Sequence, residues 1–255
     1  MRSVPSTPSR SQSWICGIAA SLLLATMGCA SRTGFDRDAM QARLYSDSPI
    51  ASDRLPSGDT SITTHPALPF KLAIFFVERE VPRGRGLHKV QWLSADKDAL
   101  KLWLKSLRDE RVLSELFLLT DPTIQGRDVE KIRQAAARYG MDAVLILDGI
   151  GAVDRFNNGY AALYPTLIGA YLAPGTECEA LVMLESTLWD VRSDRPYFSQ
   201  DNAGTWKTVG PAMSVEDRDV LAQAKHAAFE EFGSRIADRF RAMKTDRRAS
   251  PDASR

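Results

Sequence analysis

Chemistry at a protein surface needs groups that titrate, attack or bind metal, and this chain holds few of them in patterned company. Its 255 residues include three cysteines and three histidines. His65, His88 and His226 are far apart in sequence and are expected to be solvated, in a linker, a loop and a helix respectively. Cys178 sits in Pro174-Gly-Thr-Glu-Cys-Glu179, where two flanking carboxylates hold a thiol protonated rather than activate it. No subset of these residues has metal-ligand spacing. Asp148, Asp154 and Glu185 are the carboxylates that could pair for acid–base work. Carboxylates near strand ends are common without such a role, so no pair is assigned. Gly149-Ile-Gly151 follows a strand pattern but lacks the third glycine and the helix start of a dinucleotide loop. Gly84-Arg-Gly86 lacks the Lys-Ser/Thr of a phosphate loop, and there is no Gly-x-Ser-x-Gly elbow. The residues therefore imply no catalytic group, no metal, no cofactor and no small-molecule substrate. With 33 basic against 32 acidic residues and a net charge of +1, nucleic acid is excluded as the main partner.

One cysteine stands apart. Residues Trp14–Met27 (WICGIAASLLLATM) form a 14-residue stretch without charge behind Arg2 and Arg10. That suits the hydrophobic region of a signal peptide and falls short of the roughly 20 residues a membrane-spanning helix needs. The stretch ends in Met27-Gly28-Cys29-Ala30. A small residue directly before a cysteine at this place resembles the bacterial lipobox, whose cysteine takes a diacylglycerol and becomes the new N-terminus. An ordinary secretory signal cut near Ala30 is the other reading. Each acyl CH₂ buried in a bilayer contributes about 0.8 kcal/mol, so several chains anchor durably. Ala30 after the cysteine resembles the pattern sent on to the outer membrane. Cys16 would leave with the leader and Cys29 would carry lipid, so an intramolecular disulfide through Cys178 is excluded. Loss of Arg2 and Arg10 takes the chain slightly negative, which steers it to no anionic surface.

These features divide the chain into a leader over 1–28, a lipidated flexible tether over 29–67, a single α/β domain over 68–243 and a disordered tail over 244–255. The tether is rich in Ser, Asp, Pro, Thr and Arg, with one brief helical piece at Met40–Tyr45, and its length implies an end-to-end distance on the order of 35 Å. In the domain, Leu72–Val77 is a continuous apolar run that suits a strand buried on both faces. A helix capped by Ser94 or Asp96 carries Leu100, Trp103, Leu104 and Leu107 on one face. Leu116–Leu119 reads as a second strand. Asp128 caps a second helix that ends at Gly140, a position for a left-handed residue. Ala143–Leu147 is a third buried strand, and this alternation implies right-handed crossovers. Leu181–Val191 and Pro196–Gln200 form a hairpin turning over Asp190–Arg195, and Val215–Met243 is one long helix across the sheet. The fold class is α/β: a two- or three-layer sandwich on a mixed, partly parallel sheet, β-α-β-α-β followed by a hairpin and a long C-terminal helix.

The segment Tyr160–Pro174 (YAALYPTLIGAYLAP) is apolar, aromatic and uncharged, and Pro165 and Gly169 interrupt it as a strand. It supplies core residues, or else it presents Tyr160, Tyr164 and Tyr171 as an interaction surface. The second reading is adopted because Tyr combines an apolar body with a polar tip, and because insertions gather between complete supersecondary units.

The ordered set Ala42-Arg-Leu-Tyr45, Leu68-Pro-Phe-Lys-Leu-Ala-Ile-Phe-Phe-Val77, Tyr139-Gly-Met-Asp-Ala-Val-Leu145, Thr166-Leu-Ile-Gly-Ala-Tyr-Leu-Ala-Pro-Gly-Thr176 and Leu188-Trp-Asp-Val191 resembles the rhombotarget lipoprotein family of Gram-negative bacteria. That family brings no established activity, so the resemblance implies no catalytic residue. Many members end in a glycine-rich hydrophobic tail cut by a rhomboid-type protease, whereas this chain ends in the polar KTDRRASPDASR. A fold-level similarity also points to the α/β lipoprotein domains of the curli secretion channel and of penicillin-binding-protein activators. The expected role is a lipid-anchored, non-catalytic outer-membrane lipoprotein facing the periplasm. It would be held by acyl chains on Cys29 and would bind another envelope protein of unknown identity. The alternatives are a subunit of an oligomeric secretion or envelope assembly, and an envelope hydrolase without a recognisable motif.

Overall fold

The computed structural model describes residues 32–46, 66–81, 86–120, 124, 126–193 and 195–249. The leader, Cys29, His65, most of the expected tether and residues 250–255 lie outside them. The elements are α1 (Arg37–Tyr45), β1 (Phe70–Phe76), β2 (Leu87–Lys89), α2 (Ser94–Asp109), β3 (Leu113–Leu118), α3 (Val129–Arg138), β4 (Ala143–Asn157), a 3-10 turn (Gly159–Leu163), α4 (Leu167–Leu172), β5 (Thr176–Asp190), β6 (Pro196–Gly210) and α5 (Asp217–Ala249). This is the α/β sandwich on a mixed, partly parallel sheet that the apolar pattern implies.

Strand order is β3-β1-β4-β5-β6, and the short β2 pairs antiparallel with β4. β1 runs parallel to both neighbours, with Leu72 opposite Leu116 and Ala143, and Ile74 opposite Leu118 and Leu145. A strand between two parallel partners is covered on both faces, which is why Leu72–Val77 reads as an unbroken apolar run. Its alternate residues feed two cores. Ala73, Phe75 and Val77 join Val129, Ile132, Ala136, Val144 and Ile146 beneath α3. Phe70 and Phe76 face the other way, where ring centroids stand 5.9 Å apart for Phe70–Phe240 and 5.1 Å for Phe76–Trp92. On that side α5 presents Ala224, Ala228, Phe232, Ile236 and Phe240, all fully buried at helical spacing. Glycines permit the approach. A Cβ on Gly204 would lie 2.3 Å from Ala228 N, and one on Gly151 would lie 2.6 Å from Leu221 Cδ1. The Gly149-Ile-Gly151 pattern therefore serves close packing of α5 and Val90 on β4.

Capping chemistry sets the helix ends. Asp128 accepts a hydrogen bond from Lys131 N at 3.1 Å, and Gly140 closes α3 with φ +68°. For α2 neither Ser94 nor Asp96 is the N-cap: Leu93 occupies that position, and the Asp96 carboxylate reaches back to Leu93 N at 2.7 Å.

The expected domain limits shift in three places. Within the expected tether, residues 37–45 form a helix whose Met40 and Leu44 are only 1% exposed. They pack with Ile150, Ala152 and Leu181, an apolar niche that two inward residues one turn apart suffice to fill. At the other end α5 runs on to Ala249 instead of stopping at Met243, and Lys244 Nζ donates to the carbonyl of Glu110. Finally, the described part of the expected domain groups into two compact units. The larger holds residues 33–154, 178–208 and 216–249; the smaller holds Arg32, 155–177 and 209–215 among the described residues. β4, β5 and β6 run 15 residues each against seven in β1 and six in β3.

Candidate functional site

Two places in the chain gather side chains that call for an account, one in each unit. In the larger unit, the β4 residues Val144, Ile146, Asp148, Ile150 and Ala152 share one sheet face by the two-residue period of a strand, as do Leu181, Met183, Glu185, Thr187 and Trp189 of β5. The face is apolar beneath α3 and beneath α1, and between these two clusters lies a polar seam.

Asp148 and Glu185 are brought together there, each with a completely covered side chain. Arg79 donates from Nε and Nη2 to Asp148 at 3.3 and 2.6 Å. Arg127 donates from Nη2 to Glu185 Oε1 at 2.7 Å and from Nη1 to Glu185 Oε2, and stands 3.7 Å from Asp148. Thr187 lies 3.3 Å from Arg127 Nη2 and 3.2 Å from Glu185. Two positive and two negative groups thus neutralise one another inside a low-dielectric layer, which is the condition for burying charge at all. Burial pushes the Glu185 carboxyl above its ordinary range, opposed by the hydrogen bond and charge of Arg127. Arg79 goes further and donates to the carbonyls of Arg43 at 3.0 Å and Leu44 at 2.9 Å. These belong to the last turn of α1, whose carbonyls lack helical partners. Tyr45 donates to Asp201, and burial followed by that hydrogen bond pushes its phenol well above the ordinary value. The seam clamps α1 to the sheet. With no side chain in the ion cluster more than 4% exposed, a solute finds no access to its carboxylates.

Asp154 is not part of the cluster. It accepts from Thr33 Oγ1 at 2.9 Å and Gly34 N at 2.8 Å. Cys178 is fully buried in β5, with its Sγ 3.6 Å from Asp217. His88 lies half-buried on β2 instead of in a loop, and exposed His226 stands 3.6 Å from Glu230. Among the described residues no three His, Cys, Asp or Glu groups converge as a metal site.

The smaller unit is the inverse case. Its segment 158–175 folds as a 3-10 turn and a one-and-a-half-turn helix, and its backbone is closely tied. Asn158 accepts from Tyr160 N at 3.0 Å and donates to the Pro174 carbonyl at 3.0 Å. Thr166 caps α4 by accepting from Gly169 N at 3.0 Å. A Cβ on Gly169 would lie 2.0 Å from the Leu163 carbonyl oxygen, so the Gly169 that argues against a strand is what lets the two turns meet. Tyr164 is half-buried; its hydroxyl lies 2.8 Å from Thr176 Oγ1, and its ring would meet any Cβ on Gly175 at 2.8 Å. Tyr160 and Tyr171, by contrast, are 62% and 59% exposed, and Leu163, Ile168 and Leu172 are 52%, 72% and 73% exposed. Of the three tyrosines singled out by sequence, Tyr160 and Tyr171 are exposed, while Tyr164 is half-buried with its hydroxyl on Thr176.

No known family's sequence profile matches the chain, and no curated protein sequence matches it. Solved structures do. PelC, a dodecamer from Paraburkholderia phytofirmans, is 16% identical over 60% of this chain and 81% of that one, with a TM-score of 0.25. A neuraminyllactose-binding hemagglutinin homologue from Helicobacter pylori is 12% identical over 72% and 88%, with a TM-score of 0.37. Protein XCC0632 from Xanthomonas campestris is 16% identical over 74% and 93%, with a TM-score of 0.29. At these values the likeness carries no activity, ligand or assembly to this chain. No helix among the described residues is long and apolar enough to cross a membrane.

Proposed function

We propose that this chain is a lipid-anchored, non-catalytic lipoprotein of the outer membrane, facing the periplasm and binding another envelope protein. The observation that carries the reading is Gly28-Cys29 at the end of the uncharged stretch Trp14–Met27. Two features of the folded residues support it. The densest group of titratable side chains is closed and mutually neutralised, so it serves as a clamp. Large apolar side chains are left outside on a segment whose own backbone is fully organised, the usual mark of a surface that meets something else.

The test is the mass of the N-terminal peptide of the mature protein, together with membrane fractionation. The reading expects Cys29 at the N-terminus carrying a diacylglycerol and a further acyl chain, and Cys29→Ser expects release of the protein from the membrane fraction. A mature N-terminus at Ser31, without lipid, contradicts it.

A further inference from the structure

We infer that the uncharged segment Tyr160–Leu172 rests on the same lipid surface that holds Cys29, so that the protein meets its membrane at two points, one covalent and one through exposed apolar side chains. The inference rests on the lipid-anchor reading above and adds to it a site and its occupant.

The first ground is where the chain enters the folded part. Thr33 and Gly34 are fixed to Asp154, which is 6% exposed. Directly after them α1 is held by its buried Met40 and Leu44 and by Arg79 on its last carbonyls. Only three residues separate Cys29 from Thr33, and the four steps between them span at most about 14 Å when fully extended. A tether running to residue 67 would let the body drift on the order of 35 Å from the bilayer. A leash this short instead keeps the attachment point at Asp154 close to the lipid headgroups.

The second ground is the course of the chain beyond Asp154. β4 continues for three more residues, about 10 Å of strand, and the 3-10 turn begins at Gly159. The covalent path from the attachment point to Tyr160 is therefore short, whatever the orientation of the turn.

Composition supplies the third ground. From Phe156 to Thr176 there is no Asp, Glu, Lys or Arg. Of the eleven large hydrophobic side chains exposed among the described residues, seven fall in the smaller unit: five on Tyr160–Leu172, with Val209 and Met213 besides. A charged protein surface would find nothing here to pair with, and lipid asks for no pairing. Tyr rings with aliphatic neighbours are the mixture favoured at the headgroup level of a bilayer.

The experiment uses the acylated full-length protein in vesicles of phosphatidylethanolamine and phosphatidylglycerol. A nitroxide is attached through Ile168→Cys, or through Leu102→Cys on α2 as a control. Both positions are highly exposed, at 72% and 68%, and the remaining thiol of Cys178 is fully buried. Circular dichroism confirms that each labelled protein is folded before use. The ratio of collisions with oxygen to collisions with an aqueous nickel chelate is expected to be several-fold higher at position 168 than at 102. Equal ratios at both positions, in a sample whose N-terminal peptide carries acyl mass, overturn the lipid contact and leave the anchor standing. Shielding of position 168 from both reagents means a protein, such as a second copy, covers the segment, and this also overturns it. An N-terminal peptide without acyl mass overturns the anchor reading and the contact together.

Discussion

The polar seam of the larger unit and the 158–175 segment of the smaller one reverse the usual arrangement of a folded chain. In the seam, Arg79, Arg127, Asp148 and Glu185 lie inside. In the segment, Ile168, Tyr171 and Leu172 lie outside. Each inversion costs free energy against the alternative of a well-packed core and a polar surface. The buried charges are offset within the molecule, since each has an opposite charge and further hydrogen bonds. The exposed apolar side chains have no such offset within their own unit. The difference separates charges paired within the molecule, apart from the buried Arg127 Nε, which has no hydrogen-bond partner, from apolar side chains left in solvent.

The largest expected effects come from breaking the seam. Glu185→Ala leaves Arg127 buried beside Asp148 alone and is expected to cost about 3–5 kcal/mol, measured by urea unfolding. Replacing the pair together, Arg127→Met with Glu185→Leu, should recover most of that loss, because the uncompensated charge goes with its partner. A double variant as unstable as Glu185→Ala would show that the cluster does more than neutralise itself. Phe75→Ala, in the core under α3, is expected to cost a similar amount, about 3–5 kcal/mol, through its cavity. An unchanged melting midpoint would refute the burial of β1 on that face.

A smaller effect belongs to the hairpin. Asp190 accepts from Arg192 N at 2.6 Å and Ser193 N at 2.8 Å, and from the Tyr197 hydroxyl. Burial alone would raise its carboxyl, but these hydrogen bonds and the charge of Arg133 outweigh it and hold the group below the usual range. A carboxylate depressed in the folded state stabilises above its unfolded value near pH 4 and loses that contribution as pH falls through its folded value. Asp190→Asn is therefore expected to lower stability by about 1 kcal/mol at pH 7, after discounting for solvent screening. The gap to wild type should narrow as pH drops below about 4; a gap independent of pH would contradict the charge argument. The smallest effect sharpens the comparison from the other side. Ile168→Ser with Leu172→Ser removes side chains already in solvent and should move stability by no more than about 0.5 kcal/mol.

The same forces explain how much of this was legible in the sequence. Leu72–Val77 announced β1 because both its faces are covered, and Asp128 and Gly140 marked the ends of α3 because caps are local chemistry. The α1 helix was harder to see as part of the fold, since only Met40 and Leu44 of its nine residues are buried and the rest are polar or only partly covered. The sequence pattern marks β6 only as far as Gln200, whereas the strand runs to Gly210, because Asp201-Asn-Ala-Gly-Thr-Trp-Lys-Thr has no apolar alternation and is ordered by its neighbour. Asp148 and Glu185 did carry a signal, a single charge set among apolar residues in AVLILDGIG and LVMLEST. Their partners Arg79 and Arg127 lie in polar loops, and nothing local marks them.

Hydrogen–deuterium exchange tests the central claim most directly, comparing the acylated protein on vesicles with the Cys29→Ser protein in solution. The account predicts that amides of residues 159–172 become slower to exchange on the vesicles, while those of β4 residues 143–150 in the sheet stay as they were. Equal exchange of residues 159–172 in the two states would contradict it.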